Sequence, residues 1–401
     1  MRRNRTVIIF ILLLIAYYVV NLLTSEDISG MSGRIQAEHN IYNQLMVGVI
    51  ILYMACNVFF RKVVLRTSTE KIALLLLIWV VLREISVLTV DDKLVLSNLN
   101  PFFSVVFWLL GFVFCIDAFR GVEEKKVNKY LICLIIAYLL FVTYRSVTQK
   151  AILRDAEILG GINVAGSIYM IVPLIMLTVK NKWKVFLFGY CVLIAIYSAK
   201  REAVAGMAIV FFFMFYDFIK EFFRKNKARN FLLLFLFLIG LYFGKGFLEK
   251  LSQDFRARNE YFVETGADVD SGREILREAA MVGFENASIA QQFFGGGAGQ
   301  AKRYIIETIA NPRFPHNGLI ELTCDYGYLG GCMFVFFFIS IFLLSRKMVD
   351  RKNKFICYSI LASWCLSFYV YHAANLILIY FAISIGYLYN KSLISIKNEK
   401  K

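Results

Sequence analysis

Apolar runs long enough to cross a lipid bilayer recur along this chain from one end to the other, separated by short polar loops. A bilayer's hydrocarbon core is about 30 Å thick, and a helix needs about twenty mostly apolar residues to span it. In hydrocarbon every backbone polar group must be satisfied internally, which leaves helices and closed barrels as the spanning forms. Unbroken apolar runs, in a chain of 401 residues that is 59% hydrophobic and has only four prolines, select the helix. Spans are expected near residues 7–23, 43–60, 71–89, 101–119, 130–144, 162–179, 185–199, 202–220, 231–246, 328–345, 355–371 and 373–390. The expected architecture is an all-α polytopic membrane protein with about twelve transmembrane helices. Residues 1–244 would carry nine of them, 245–317 one large polar loop, and 318–401 the last three and a basic tail.

The formal net charge is +16. Its distribution argues against nucleic acid as a partner, because most Lys and Arg flank apolar spans in alternate loops. One set of loops holds Arg61, Lys62 and Arg66, then Arg120, Lys125 and Lys126, then Lys180, Lys182 and Lys184, and later Arg346 to Lys354. The other set is mixed or acidic, with Glu26 and Asp27, then Asp91, Asp92 and Lys93. Cytoplasmic loops carry the basic excess, so both termini are expected inside and the loop at 245–317 outside. The eight cysteines form no CxxC pair and lie almost entirely in apolar runs, as small hydrophobes do. Arg2, Arg3 and Arg5 ahead of an apolar run imitate a secretory signal. The run is long for one and no small-x-small cleavage site follows, so it is expected to remain as the first helix.

Chemistry on polar groups is to be sought where polar residues gather, in residues 245–317. Arg273 and Arg277, four apart behind a capping candidate at Asp270 or Ser271, fall on one helical face. Two guanidiniums so placed suit a phosphate or pyrophosphate; pairing with Glu274 and Glu278 on a solvated face is the alternative. Asp268-x-Asp270 matches a short acidic metal-holding motif, and serves equally as a cap. Gly295-Gly296-Gly297-Ala298-Gly299 lacks the Gly-Lys-Ser/Thr of a P-loop, and reads as a backbone anion nest or as a turn. A helix is expected from Gly318 with Asn317 as its N-cap, placing Asn317, Glu321 and Asp325 on one stripe below His316. An imidazole there can accept a proton from a hydroxyl; otherwise it ends a helix that Glu321 complements. Between 185 and 220 the apolar stretch is interrupted only at Ser198-Ala199-Lys200-Arg201-Glu202. Two crossings leave little length for that turn, so Lys200 and Arg201 are expected at the rim of an outward-facing cavity. Arg83 and Glu84 stand inside the third span, as an ion pair or as a further cavity wall.

These motifs occur in a particular order: Ser198 to Arg201, then Ser271-Gly272-Arg273, Phe294-Gly295-Gly296-Gly297, and His316-Asn317-Gly318-Leu319-Ile320-Glu321-Leu322 running to Asp325-Tyr326-Gly327. That order resembles the O-antigen polymerase and ligase family of bacterial surface-polysaccharide enzymes, over about residues 160–345. The family's Ser-Arg pair is interrupted here by Ala199 and Lys200, leaving Lys200 and Arg201 both as candidates for the arginine's role. Its acidic residue near the end of the last motif, usually Glu, is Asp325. The resemblance implies a GT-C-like membrane glycosyltransferase of the bacterial inner membrane, with its active site facing the periplasm or exterior. It implies a donor glycan carried on undecaprenyl pyrophosphate, an acceptor that is another lipid-linked repeat, and no metal or cofactor. His316 would be the base; Lys200, Arg201, Arg273 and Arg277 would hold the pyrophosphate; Asn317, Glu321 and Asp325 would orient the acceptor or His316. A chain-length regulator is an optional partner. The rivals are a ligase that moves finished polymer to a lipid core, and a lipid-linked oligosaccharide flippase. A flippase would want charge spread through several spans.

Overall fold

The computed structural model describes residues 2–23, 41–60, 65–90, 96–155, 164–179, 181–197, 202–213, 273–311, 314–348, 350–370 and 376–399. Among them every regular element is a helix. In chain order these are α1 (Arg2–Leu23), α2 (Ile41–Phe60), α3 (Ser68–Val90), α4 (Leu96–Ala118) and α5 (Glu124–Asp155). A 3-10 segment (Val164–Ile171) then leads into α6 (Val172–Thr178), α7 (Asn181–Tyr197) and α8 (Glu202–Phe213). Next come α9 (Arg273–Glu285), α10 (Ile289–Phe294) and α11 (Gln300–Ile309). The chain closes with α12 (Gly318–Arg346), α13 (Arg351–Val370), a 3-10 turn (Leu376–Leu378) and α14 (Ile379–Glu399). Among the described residues, five helices are long and apolar enough to cross a membrane: Arg3–Leu23, Tyr42–Phe60, Pro101–Ala118, Glu124–Thr148 and Gly318–Arg346.

Helix α4 is the centre of the bundle. It packs against α2, α3 and α14, and its residues from Val105 to Ile116 are buried on all sides. A helix apolar all round belongs in such a place. Aromatic rings fill the space between α4, α12 and α13. Phe112 stacks on Trp364 at 5.0 Å and 14°, and Trp108 meets Trp364 edge-on at 5.5 Å. Leu75, Ile78, Leu82 and Ile85 on α3 are exposed at helical spacing and form one apolar stripe.

The start of α3 is fixed by a capping box, Thr67-Ser68-Thr69-Glu70. Glu70 N donates to Thr67 Oγ1 at 3.1 Å, and the Glu70 carboxylate accepts from Thr67 N at 2.8 Å. The same carboxylate, fully buried, receives Arg120 at 3.2 Å, so the box also ties α3 to the end of α4. A buried carboxylate is tolerable only when so paired and hydrogen-bonded.

Several expected spans have different bounds; the last, expected at 373–390, is a 3-10 turn (Leu376–Leu378) followed by α14 to Glu399. The short one at 130–144 belongs to a 32-residue helix, α5, whose polar ends extend well past its apolar middle. The one at 162–179 is not a regular α-helix. It is a 3-10 segment that passes into α6 at Pro173, a residue suited to a first helical turn because it lacks an N–H. The one at 328–345 begins ten residues earlier, at Gly318, so the last motif and the span after it form one element broken at Gly327. The expected span at 231–246 lies outside the described residues, as do Lys200, Arg201, Asp268 to Gly272, His39 and His372.

Candidate functional site

Helix α9 sets two of the predicted cations. Its sequence, Arg-Glu-Ile-Leu-Arg-Glu-Ala-Ala, consists mostly of good helix formers, with Glu274 in the first turn where the dipole favours an acid. Leu276, Ala279, Ala280 and Phe284 are buried. They pack on α11 and on α12, where Cys324 Sγ donates to the Ala280 carbonyl (3.8 Å) and the Phe284 and Tyr328 rings meet at 5.1 Å. Ala280 faces Cys324 and Phe284 faces Tyr328, so α9 and α12 run in the same direction where they touch. At 3.6 residues per turn, positions 273, 277, 280 and 284 share one stripe of α9.

Each arginine has its own anchor. Arg273 Nη2 lies 3.3 Å from Glu202 Oε1, with both side chains mostly buried. Arg277 Nη2 donates to the Tyr369 carbonyl at 3.3 Å, with its guanidinium over the Tyr369 ring at 4.9 Å. Glu274 and Glu278 are exposed, and the pairing of these arginines along a solvated face is not what the fold shows. Instead α9 is pinned at Arg273 to the head of α8, and at Arg277 to the end of α13. Glu202 is the residue after Arg201 in the sequence.

His316 and Asn317 stand at the head of α12. Asn317 Oδ1 accepts from the Leu319 and Ile320 amides at 3.1 Å each, and the helix starts at Gly318 as expected. His316 has φ 49°, one of two non-glycine residues with positive φ among those described. Left-handed backbone is uncommon outside glycine, though His, Asn and Asp enter it more readily than other residues. The conformation turns the chain sharply between Pro315 and the cap, and holds a half-buried imidazole at the helix end.

On the acidic stripe, Asp325 has partners of its own in the loop after α10. Glu321 and Asp325 are buried, 1% and 2% exposed. Asp325 was expected to orient the acceptor or His316. Its two oxygens instead accept from the Gly299 and Ala301 amides at 3.0 and 2.9 Å. Glu84, buried in α3, accepts from the Ala298 amide at 2.9 Å. Carbonyls take the rest: Gly295 N donates to Gln291, Gly296 N to Cys324, Gly297 N to Asp325 and Gln300 N to Gly297. Every N–H from Gly295 to Ala301 is therefore engaged within the protein. The glycine run is not an open anion nest; the protein's own carboxylates fill it. Arg83 completes the dock by donating to the Gly295 carbonyl and, at 2.8 Å, to Ser86 Oγ. Arg83 and Glu84 thus hold the loop after α10 against α3.

Glycine is required where this loop crosses α12. Gly295 (φ 86°) and Gly327 (φ 74°) pass backbone to backbone. A Cβ on Gly327 would lie 2.5 Å from Gly295 N, and one on Gly295 would lie 2.5 Å from the Tyr326 carbonyl carbon. Gly327 is also where α12 loses its helical path, with ψ 178°. Trp79 Nε1 on α3 takes up the Tyr326 carbonyl at 3.3 Å.

Arg83 and Glu84, charges inside an apolar span, were visible in the sequence, but nothing local indicated the loop amides they meet. Glu202 was adjacent to a predicted motif and Tyr369 carried no signal. No protein-family model matches this chain, and no curated protein matches its sequence.

Proposed function

We propose that this chain is a membrane glycosyltransferase of the GT-C type that polymerises a bacterial surface polysaccharide, an O-antigen, capsule or exopolysaccharide. In this reading about twelve spans carry one outward-facing site, by the length and loop-charge arguments above. The single observation that carries the reading is the head of α12, where the left-handed backbone of His316 and the Asn317 cap hold a half-buried imidazole at the end of an apolar helix. Arg273 and Arg277 share one stripe of α9, a helix that packs on α12 through Ala280 and Cys324. A proton acceptor and a pair of cations on packed helices suit an anionic leaving group at the membrane surface.

The chemistry follows from those residue types. The acceptor hydroxyl oxygen attacks the anomeric carbon of the donor glycan, and the bond from that carbon to the pyrophosphate oxygen breaks. His316 takes the hydroxyl proton, and undecaprenyl pyrophosphate leaves with the bonding pair. Pyrophosphate is already a good leaving group, so the main task is to neutralise its growing charge. Arg273, Arg277, Lys200 and Arg201 are suited to that, and one preorganised donor is typically worth about 3–4 kcal/mol in the transition state. Base catalysis by His316 adds a factor of about 100 to 10,000. Asp325 acts at one remove, by holding the loop that follows α10.

The test is a gel of surface and lipid-linked glycans from a strain lacking this gene, run beside its parent. Loss of the polymer ladder with single repeats remaining, on lipid or on the final acceptor, supports polymerisation. Long polymer stranded on the lipid carrier would make the chain a ligase. Repeats trapped on the cytoplasmic leaflet would make it a flippase.

A further inference from the structure

The three helices between residues 273 and 309 are not uniformly polar at their surface. Helix α10 carries the apolar residues Ile289, Phe293 and Phe294, which are 86%, 50% and 42% exposed. Ile289 and Phe293 are four apart and share one face. Such residues in water would form an unexplained patch, so their depth along the bundle matters.

Contacts with α3 give that depth. Helices α3 and α12 run side by side, joined by Thr69 Oγ1 to the Ser340 carbonyl and by Trp79 Nε1 to the Tyr326 carbonyl. The Phe294 ring packs on Trp79 at 5.9 Å, and the Gly295 carbonyl receives Arg83. From Val90, where α3 ends, Arg83 is about 10 Å along the helix and Trp79 about 16 Å, at about 1.5 Å per residue. A hydrocarbon core is about 30 Å thick. With the Val90 end of α3 in the headgroup layer, the backbone around Gly295 lies just inside the boundary of headgroups and acyl chains, and the Phe294 ring points deeper.

Two further observations agree. Non-helical backbone survives at that depth only if its polar groups are satisfied within the protein. Every N–H from Gly295 to Ala301 meets that condition, through Asp325, Glu84 and local carbonyls. The exposed apolar residues also continue a lipid-facing surface, because Ile78 and Leu82 of α3 flank Trp79 and are themselves exposed. Glu285, Asn286 and Ser288, in the turn before α10, are exposed too. They suit the headgroup layer, giving the segment the two-sided character of an interfacial element.

We propose that α10 is seated in the membrane interface on the Val90 side, with Ile289, Phe293 and Phe294 among the acyl chains of that leaflet. The occupant of this apolar face is lipid hydrocarbon. The inference does not rest on the proposed transferase activity.

The test uses the full-length protein in vesicles containing a phosphatidylcholine with a diazirine on its acyl chain, with crosslinks mapped by mass spectrometry. Crosslinks are expected at residues 289–294 and on the exposed stripe of α3, but not at Glu307 on α11. Crosslinks on α3 with none on α10 would overturn the proposal. A second measurement places a nitroxide on Ile289→Cys, Phe293→Cys and Glu307→Cys in a background without native cysteines. The ratio of oxygen to aqueous nickel-complex collisions is expected to be several-fold higher at 289 and 293 than at 307. Equal ratios would put α10 in water, and exclusion of both reagents would show a protein covering it; either result refutes the assignment.

Discussion

Replacing Gly327 by Ala tests whether the loop following α10 is locked to α12 by a backbone crossing. The residue has φ 74°, and its added Cβ would overlap the Phe293 carbonyl oxygen and lie 2.5 Å from Gly295 N. Both neighbours are backbone atoms and cannot rotate away. With φ 74° and ψ 178° the backbone is in a region essentially reserved for glycine, which costs an alanine about 1–3 kcal/mol. Relieving the overlap moves the loop by about 1 Å, which takes weak hydrogen bonds beyond their range. The most exposed to this are Gly297 N to the Asp325 carbonyl (2.8 Å) and Gly296 N to the Cys324 carbonyl (3.4 Å). Losing two such bonds costs about 0.5–1.5 kcal/mol each. Towards the lower end of both ranges the sum is about 3 kcal/mol, or about a hundredfold in a local opening equilibrium. The assay is hydrogen exchange of the peptide covering residues 295–301, which should exchange about a hundredfold faster while peptides from α1 are unchanged. Gly48→Ala is the control: nothing lies within 4 Å of its Cβ, and in mid-helix it should be neutral or stabilising by up to about 1 kcal/mol. Unchanged protection in Gly327→Ala would mean that the crossing is loose and the steric argument wrong.

Other expectations are simpler. His316→Asn tolerates the left-handed backbone and removes the base, so polymer should disappear while membrane levels stay normal; near-normal polymer on a gel would remove His316 from the mechanism. His316→Ala should be equally inactive and about 1 kcal/mol less stable than His316→Asn in thermal unfolding, because alanine pays the left-handed cost. Arg273→Lys should lose most activity, since Lys cannot grip an anion with two hydrogen bonds; an active variant would mark Arg273 as structural. A double-mutant cycle of Arg273→Gln with Glu202→Gln should show a coupling of about 0.5–3 kcal/mol in denaturation, and none if the pair is incidental. Glu70→Gln leaves buried Arg120 with the Asp117 carboxylate at 3.7 Å in place of the closer Glu70, and should cost about 1.5–3 kcal/mol in unfolding free energy; no measurable loss would contradict the buried-pair assignment.

The sequence by itself determined the class of fold. Length and apolar content of each run impose helices, because hydrocarbon accepts no unpaired backbone. It also determined the head of α12, since the Asn317 cap and the helix behind it are local events within four residues. Helical spacing placed Arg273 and Arg277 on one side of α9. Whether the two share a partner was beyond reach of spacing: Glu202 and Tyr369 are 71 and 92 residues away along the chain. The acidic stripe shows the same limit. Periodicity puts Glu321 and Asp325 on one face, but the amides that Asp325 meets are delivered by a loop about one helix earlier. Glu84 meets the same loop across 214 residues. A run of glycines can bind an anion or be held by one, and no local pattern distinguishes the two. Only the packing of α3 against α12 decided it, because two buried carboxylates and a set of buried amides each need a partner, and at that place they have each other.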